Sequence, residues 1–151
     1  MFYLTNSCSF AAHSATAHGA ECSVPKNYFI NGAQAEGAEN ALFFEPQDHH
    51  FQVSYKIHLN SKGTEESLIE TQMGIYGTCQ PISPITLDGL SGHCATYGDE
   101  KEQYFEARLC LEETETGCTE LEFTVLTHHG DIEDIKASPA FKTLLAGIRK
   151  G

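Results

Sequence analysis

The stretch "ITLDGLSGHCATYG", residues 85–98, gathers Asp88, Ser91, His93 and Cys94 around Gly89 and Gly92. These are the residue types of a nucleophilic or acid–base site. A serine-hydrolase elbow needs Gly-x-Ser-x-Gly, but here the last position is His93. A phosphate-binding loop needs a lysine and a helix directly after it, and neither follows. A cysteine nucleophile needs a base beside it, yet neighbours on a strand point to opposite faces, so Cys94 parts from His93. His93, Ala95 and Tyr97 share the other side. The two glycines therefore predict a tight turn that feeds a strand.

Three further groups could do chemistry. His49–His50 fall in a hairpin turn, and His128–His129 precede "GDIED", where Asp131 and Glu133 could join them around a divalent cation. Adjacent strand residues diverge, however, and no i, i+4 histidine pair supplies a second ligand set. His13 and His18 are weaker still, and no metal or other cofactor is assigned. Cys110 and Cys118 are a disulfide candidate if they face each other across a hairpin in an oxidising compartment. Last, His58, Tyr104, Glu106, Arg108, Glu120 and Glu122 share one polar side if their strands pair. Glu106, Glu122 and His58 could then supply an acid and a base. An ordinary solvated sheet face with cross-strand ion pairs uses the same residues, and no catalytic residue is assigned.

Whether those residues meet depends on the elements that carry them. "ALFFEPQDHHFQVSYKIHL" reads as strand, turn and strand, with Phe51, Val53, Tyr55, Ile57 and Leu59 alternating on one face. The period changes in "TEESLIETQMGIYG". Thr64 is a cap candidate, Ile69, Met73 and Tyr76 form an apolar stripe, and Gly77 stops the helix. A loop follows through Pro81 and Pro84. "QYFEARLCLE" and "CTELEFTVLT" alternate cleanly around an "ETETG" hairpin loop. Pairing Phe105 with Phe123 and Ala107 with Leu121 sets Arg108 against Glu120 and Cys110 against Cys118. "SPAFKTLLAGIRKG" opens on Ser138 as N-cap with Pro139 after it, and Phe141, Leu144, Leu145 and Ile148 form its apolar stripe. Arg149 and Lys150 are expected in its last turn.

These elements predict an α+β fold, an antiparallel sheet of about six strands with two amphipathic helices covering one face. Residues 1–20 are expected to be an irregular arm with a short strand near Phe2 to Leu4, and residues 21–151 a single domain.

The chain of 151 residues carries 21 acidic and 9 basic side chains, a formal charge of −12. That balance excludes a partner recognised through a basic patch, so no nucleic acid and no anionic membrane surface is expected. It leaves a basic partner open. No apolar run is long enough to span a bilayer, so no membrane insertion is expected. The first twenty residues lack the Lys or Arg of a signal peptide, although a removed export signal would leave no trace. The six cysteines are only about 4% of the chain and form no CxxC or CxxxC pair, which suits reduced thiols in the cytoplasm.

The order of parts resembles the PsbP-like fold group, which includes the extrinsic photosystem II subunit, a Ran-binding import factor and DcrB-like bacterial proteins. "SVPKNYF" is similar to the group's first strand and Pro turn, and "FFEPQDHHFQVSYKI" to its strand–turn–strand unit before a helix. "LDGLSGHCATY" resembles its Gly-containing turn into the next strand, and "SPAFKTLLAGIR" its C-terminal helix. The likeness runs from about Glu21 to Arg149. It implies an αβ or αβα sandwich without a shared enzymatic site, whose members bind other proteins; none of their contact residues can be matched here. The function expected is a non-enzymatic binding or accessory module for a protein partner. The alternatives are a small enzyme or metal binder using the polar face or the His128–His129 loop, and a structural homodimer.

Overall fold

The three longest alternating runs become the three longest strands and the centre of the fold. In the computed structural model of the chain, residues 51–150 are described throughout, and within residues 1–50 the backbone of five strands is described. Those five are β1 (Tyr3–Leu4), β2 (Ala12–Ala17), β3 (Ala20–Pro25), β4 (Phe29–Ala35) and β5 (Ala38–Phe44). There follow β6 (Phe51–Ser61), α1 (Thr64–Tyr76), β7 (Ser83–Leu87), β8 (Leu90–Gly98), β9 (Gln103–Thr114) and β10 (Gly117–Thr127). The chain closes with α2 (Ile132–Ala137), α3 (Pro139–Ala146) and β11 (Ile148–Lys150). One antiparallel sheet of seven strands runs β4-β5-β6-β10-β9-β8-β7, and a four-stranded sheet runs β1-β2-β3-β11. The fold is α+β, with strand as the main element.

Period-2 alternation decides what the large sheet buries. Phe51, Val53, Tyr55 and Ile57 of β6, Phe105, Ala107 and Leu109 of β9, and Leu121, Phe123 and Val125 of β10 form one core. Helices α2 and α3 close it with Ile132, Ile135, Phe141 and Leu144. Phe105 packs edge-on against Phe141 at 5.0 Å between ring centroids. Full burial of each large apolar side chain contributes about 1.5–3 kcal/mol. The cap expected for α3 forms: the Phe141 N–H donates to Ser138 Oγ at 3.2 Å, with Pro139 next to it.

Several elements depart from expectation. The helices do not share a face, because α1 lies on the polar side of the sheet against β8 and β9 while α2 and α3 lie on the apolar side. The buried residues of α1 are Leu68 and Gln72; Ile69 and Met73 of the expected stripe are 37% and 49% exposed. Polar contacts set this orientation. Thr64 Oγ1 meets His93 Nδ1 at 2.8 Å, and Thr71 Oγ1 accepts from Arg108 Nη2 at 3.0 Å, so the hydroxyls turn inward. Gly63, not Thr64, is the N-cap of α1, whereas Gly77 ends it in the left-handed conformation as expected.

The loop expected through Pro81 and Pro84 ends earlier, at residue 82, and Pro84 lies in edge strand β7, where it is tolerated. Between β7 and β8, Asp88 and Gly89 both have positive φ, 48° and 79°. This is the two-residue hairpin turn that Asp-Gly favours. The short strand expected near Phe2 to Leu4 is β1, but the arm expected to be irregular after it contains β2, which pairs with both β1 and β3. Helix α3 ends before Gly147, so Ile148, Arg149 and Lys150 lie in β11 beside β3 rather than in a last helical turn.

Candidate polar-face site

The site is built on four neighbouring strands, β6, β10, β9 and β8, with α1 above them. Its centre is the β9–β10 hairpin. Here Glu122 lies opposite Arg108 and Thr124 opposite Glu106, so the ladder stands two residues from the register that sets Arg108 against Glu120. The turn closes tightly, between Thr114 and Gly117, and a bulge near Thr119 and Glu120 shifts β9 by one residue. Cys110 therefore pairs with Glu120, and Cys118 with Glu113, instead of with each other. A two-residue displacement keeps every side chain on its own face, so the expected polar set survives the change of partners.

That set is not an ordinary solvated face. Glu106, Arg108 and Glu120 are 2%, 6% and 0% exposed. The Arg108 guanidinium donates from Nε to Glu106 Oε2, from Nη1 to Glu120 Oε2 at 2.9 Å, and from Nη2 to Thr71 Oγ1. Nη2 also lies 2.8 Å from Glu122 Oε1. His58 Nε2 shares a hydrogen bond with the same Glu122 oxygen at 3.0 Å, and the Tyr97 hydroxyl donates to Glu106 Oε1 at 2.7 Å. Three carboxylates thus converge on one guanidinium. Glu120 Oε1 is buried with no hydrogen-bond partner among the described residues.

The two carboxylates nearest the open side are pushed in opposite directions. Burial raises Glu106 above the usual carboxylate range, helped by the Glu122 charge and opposed by Arg108 and the Tyr97 hydrogen bond. Burial also pushes Glu122 up, but the His58 hydrogen bond and the charges of Arg108, His58 and Lys56 outweigh it, and its carboxyl lies below that range. Burial and the Glu106 charge hold the Tyr97 hydroxyl well above its ordinary range. Three carboxylates around Arg108 hold the guanidinium firmly charged in spite of its burial.

Beside this network is a pocket of about 320 Å³. Glu106, Arg108 and Glu122 line it with Tyr97 and Tyr104, whose rings stack at 5.1 Å. Thr71 and Ile75 of α1 form one wall, and Gln52, Ser54, Thr124 and Leu126 the other.

No family profile matches the chain, and no curated protein does. Among the solved structures similar to the chain is one from Bacteroides thetaiotaomicron, at 14% sequence identity with a TM-score of 0.45. The match covers 88% of this chain and 45% of that one. The chain therefore spans less than half the length of that structure.

Of the expected face, His58, Tyr104, Glu106, Arg108, Glu120 and Glu122 all meet. Tyr97, Thr71 and Thr124 belong with them. Tyr97 is legible in the alternation of residues 93–97, and Thr124 in that of β10. Thr71 is not, since nothing in the helix pattern says that its hydroxyl side faces the sheet.

The other sequence candidates do different work. His93 holds the start of α1 through Thr64, with Glu65 at 3.6 Å. Ser91 is exposed, and Cys94 sits on the opposite face against the core. Asp131 accepts a hydrogen bond from Thr127 at 2.7 Å, and no group of three metal-binding side chains occurs among the described residues. The side chains of His13, His18, His49 and His50 lie outside the described residues. No helix among the described residues is long and apolar enough to cross a membrane.

Proposed function

We propose that the protein is a non-enzymatic binding module whose polar-face pocket takes a cationic side chain, lysine or arginine, from a protein partner. The observation that carries this reading is the convergence of Glu106, Glu120 and Glu122 on Arg108, the only Lys or Arg among the lining residues. The guanidinium donors are directed to side chains of the chain itself, so they are not free to polarise a substrate. Tyr97, whose hydroxyl could move a proton, is bonded to Glu106. What the pocket offers a visitor is carboxylate charge at its floor and tyrosine rings at its side, a setting that favours an organic cation. A formal charge of −12 steers such a partner toward the chain. Helices on both faces of one antiparallel sheet support the resemblance to PsbP-like proteins, whose members also bind proteins, and we include that kinship in the proposal.

The test uses a short lysine-rich peptide and its lysine-acetylated counterpart, titrated into the full chain by calorimetry and by NMR shifts of the Glu122, Tyr104 and Ser54 amides. The unmodified peptide should bind at those amides, and Glu122→Gln should weaken it about tenfold, the loss of one charge-assisted hydrogen bond. Equal behaviour of the two peptides, or full binding by the Gln variant, would overturn the reading.

A further inference from the structure

A second site lies where the β9–β10 hairpin meets the start of α1. There Cys110 and Cys118 sit on one face of neighbouring strands, offset along a diagonal by the bulge at Thr119 and Glu120. Cys118 is also the cross-strand partner of Ser61 on β6. Both are free thiols, and both line a surface pocket of about 390 Å³ with Lys62, Gly63, Thr64, Glu113, Thr114 and Gly117. Their exposure differs: Cys110 is half-buried and Cys118 only 4% exposed.

We propose that this pair is a dithiol oxidation site that closes reversibly to a disulfide when it meets a small disulfide such as oxidised glutathione. Cys110, the accessible thiol, reacts first. Its thiolate attacks one sulfur of the glutathione disulfide, forms a mixed disulfide and releases one glutathione thiolate. Cys118 then gives its proton to solvent and attacks the Cys110 sulfur, and the second glutathione leaves. Two protein thiols lose two electrons in all, and one glutathione disulfide becomes two glutathiones.

Geometry assigns these roles. The two thiols are diagonal neighbours on one face, so the buried Cys118 is the resolving group and the more exposed Cys110 the attacking group. Burial and the Cys110 thiol push Cys118 up to about 11, which keeps it protonated until the mixed disulfide forms beside it. Ser61 ties the site to the helix above. Its hydroxyl accepts from the Gly63 N–H at 3.2 Å and lies 2.9 Å from Ser67 Oγ, so moving the Cys118 sulfur disturbs the first turn of α1.

The experiment incubates the folded full chain with oxidised glutathione, quenches with N-ethylmaleimide and maps every cysteine by peptide mass spectrometry. The wild type should yield a Cys110–Cys118 disulfide, reversed by reduced glutathione, while Cys94 stays alkylatable. Cys118→Ala should stop at the mixed disulfide on Cys110, and Cys110→Ser should leave Cys118 unmodified. A wild type that accumulates the stable mixed disulfide, or that keeps both thiols, would overturn the proposal. Amide exchange on each variant establishes that the fold is intact.

Discussion

At the scale of the residue, Arg108 matters most. Removing one partner of a buried ion pair costs about 3–5 kcal/mol because the remaining charge stays in the protein uncompensated. Arg108→Met keeps the bulk but leaves Glu106, Glu120 and Glu122 facing one another, so chemical denaturation should show a loss of at least that size. The carboxylates also fix a pH dependence. Glu122 lies below its ordinary value of 4.5 in the folded chain, so its contribution is present above that value and is lost as pH falls further. Glu106 has the opposite sign: it is raised, so its contribution is present below 4.5 and is lost as pH rises through its folded value. Together they favour the mildly acidic range. Glu106→Gln should flatten the decline from there toward neutral pH, and an unchanged slope in a pH series of denaturation midpoints would refute the assignment. The strand members of this cluster are readable from alternation, whereas Thr71 of α1 is not. Nor is the cluster's burial, because whether a polar face is wet or covered depends on where a helix lands, and α1 is placed by Thr64 and Thr71 rather than by its apolar stripe.

Among the elements, β8 and β9 approach too closely for any side chain at Gly92. A Cβ there would collide with the Arg108 carbonyl oxygen and crowd the backbone of Leu109. Neither can yield without shifting the strand that carries Arg108. Gly92→Ala should therefore cost about 1–3 kcal/mol by overpacking, seen as a lower thermal midpoint, and should move the Arg108 amide resonance. The sequence marks Gly92 as special but suggests a turn, since a glycine beside Asp-Gly looks like more of the same loop. Only the pairing of Gly92 with Leu109 reveals a close backbone approach. The other element-scale errors share this origin. Strand β7 is short and holds a proline, so its own composition argues for a loop, and β8 supplies the pairing that makes it a strand. The register of β9 and β10 depends on a bulge that alternation does not encode.

Across the whole molecule, the network assembles from contacts of very unequal reach. Arg108 meets Glu106 two residues away and Glu120 twelve residues away, both within one hairpin. Thr71 is separated from it by 37 residues, and His58 from Glu122 by 64. Closing a short loop costs less entropy than closing a long one, and non-local pairing slows folding. These separations predict that the guanidinium gains its first counter-charges while the hairpin is still forming, before β6 and α1 arrive. Leu121→Ala in the hairpin should slow refolding, whereas Val53→Ala in β6 should mainly speed unfolding, as stopped-flow chevrons of the two variants would resolve. In that predicted order, the most expensive charge to bury is neutralised while solvent can still reach it, and the later docking of α1 seals a pair already made.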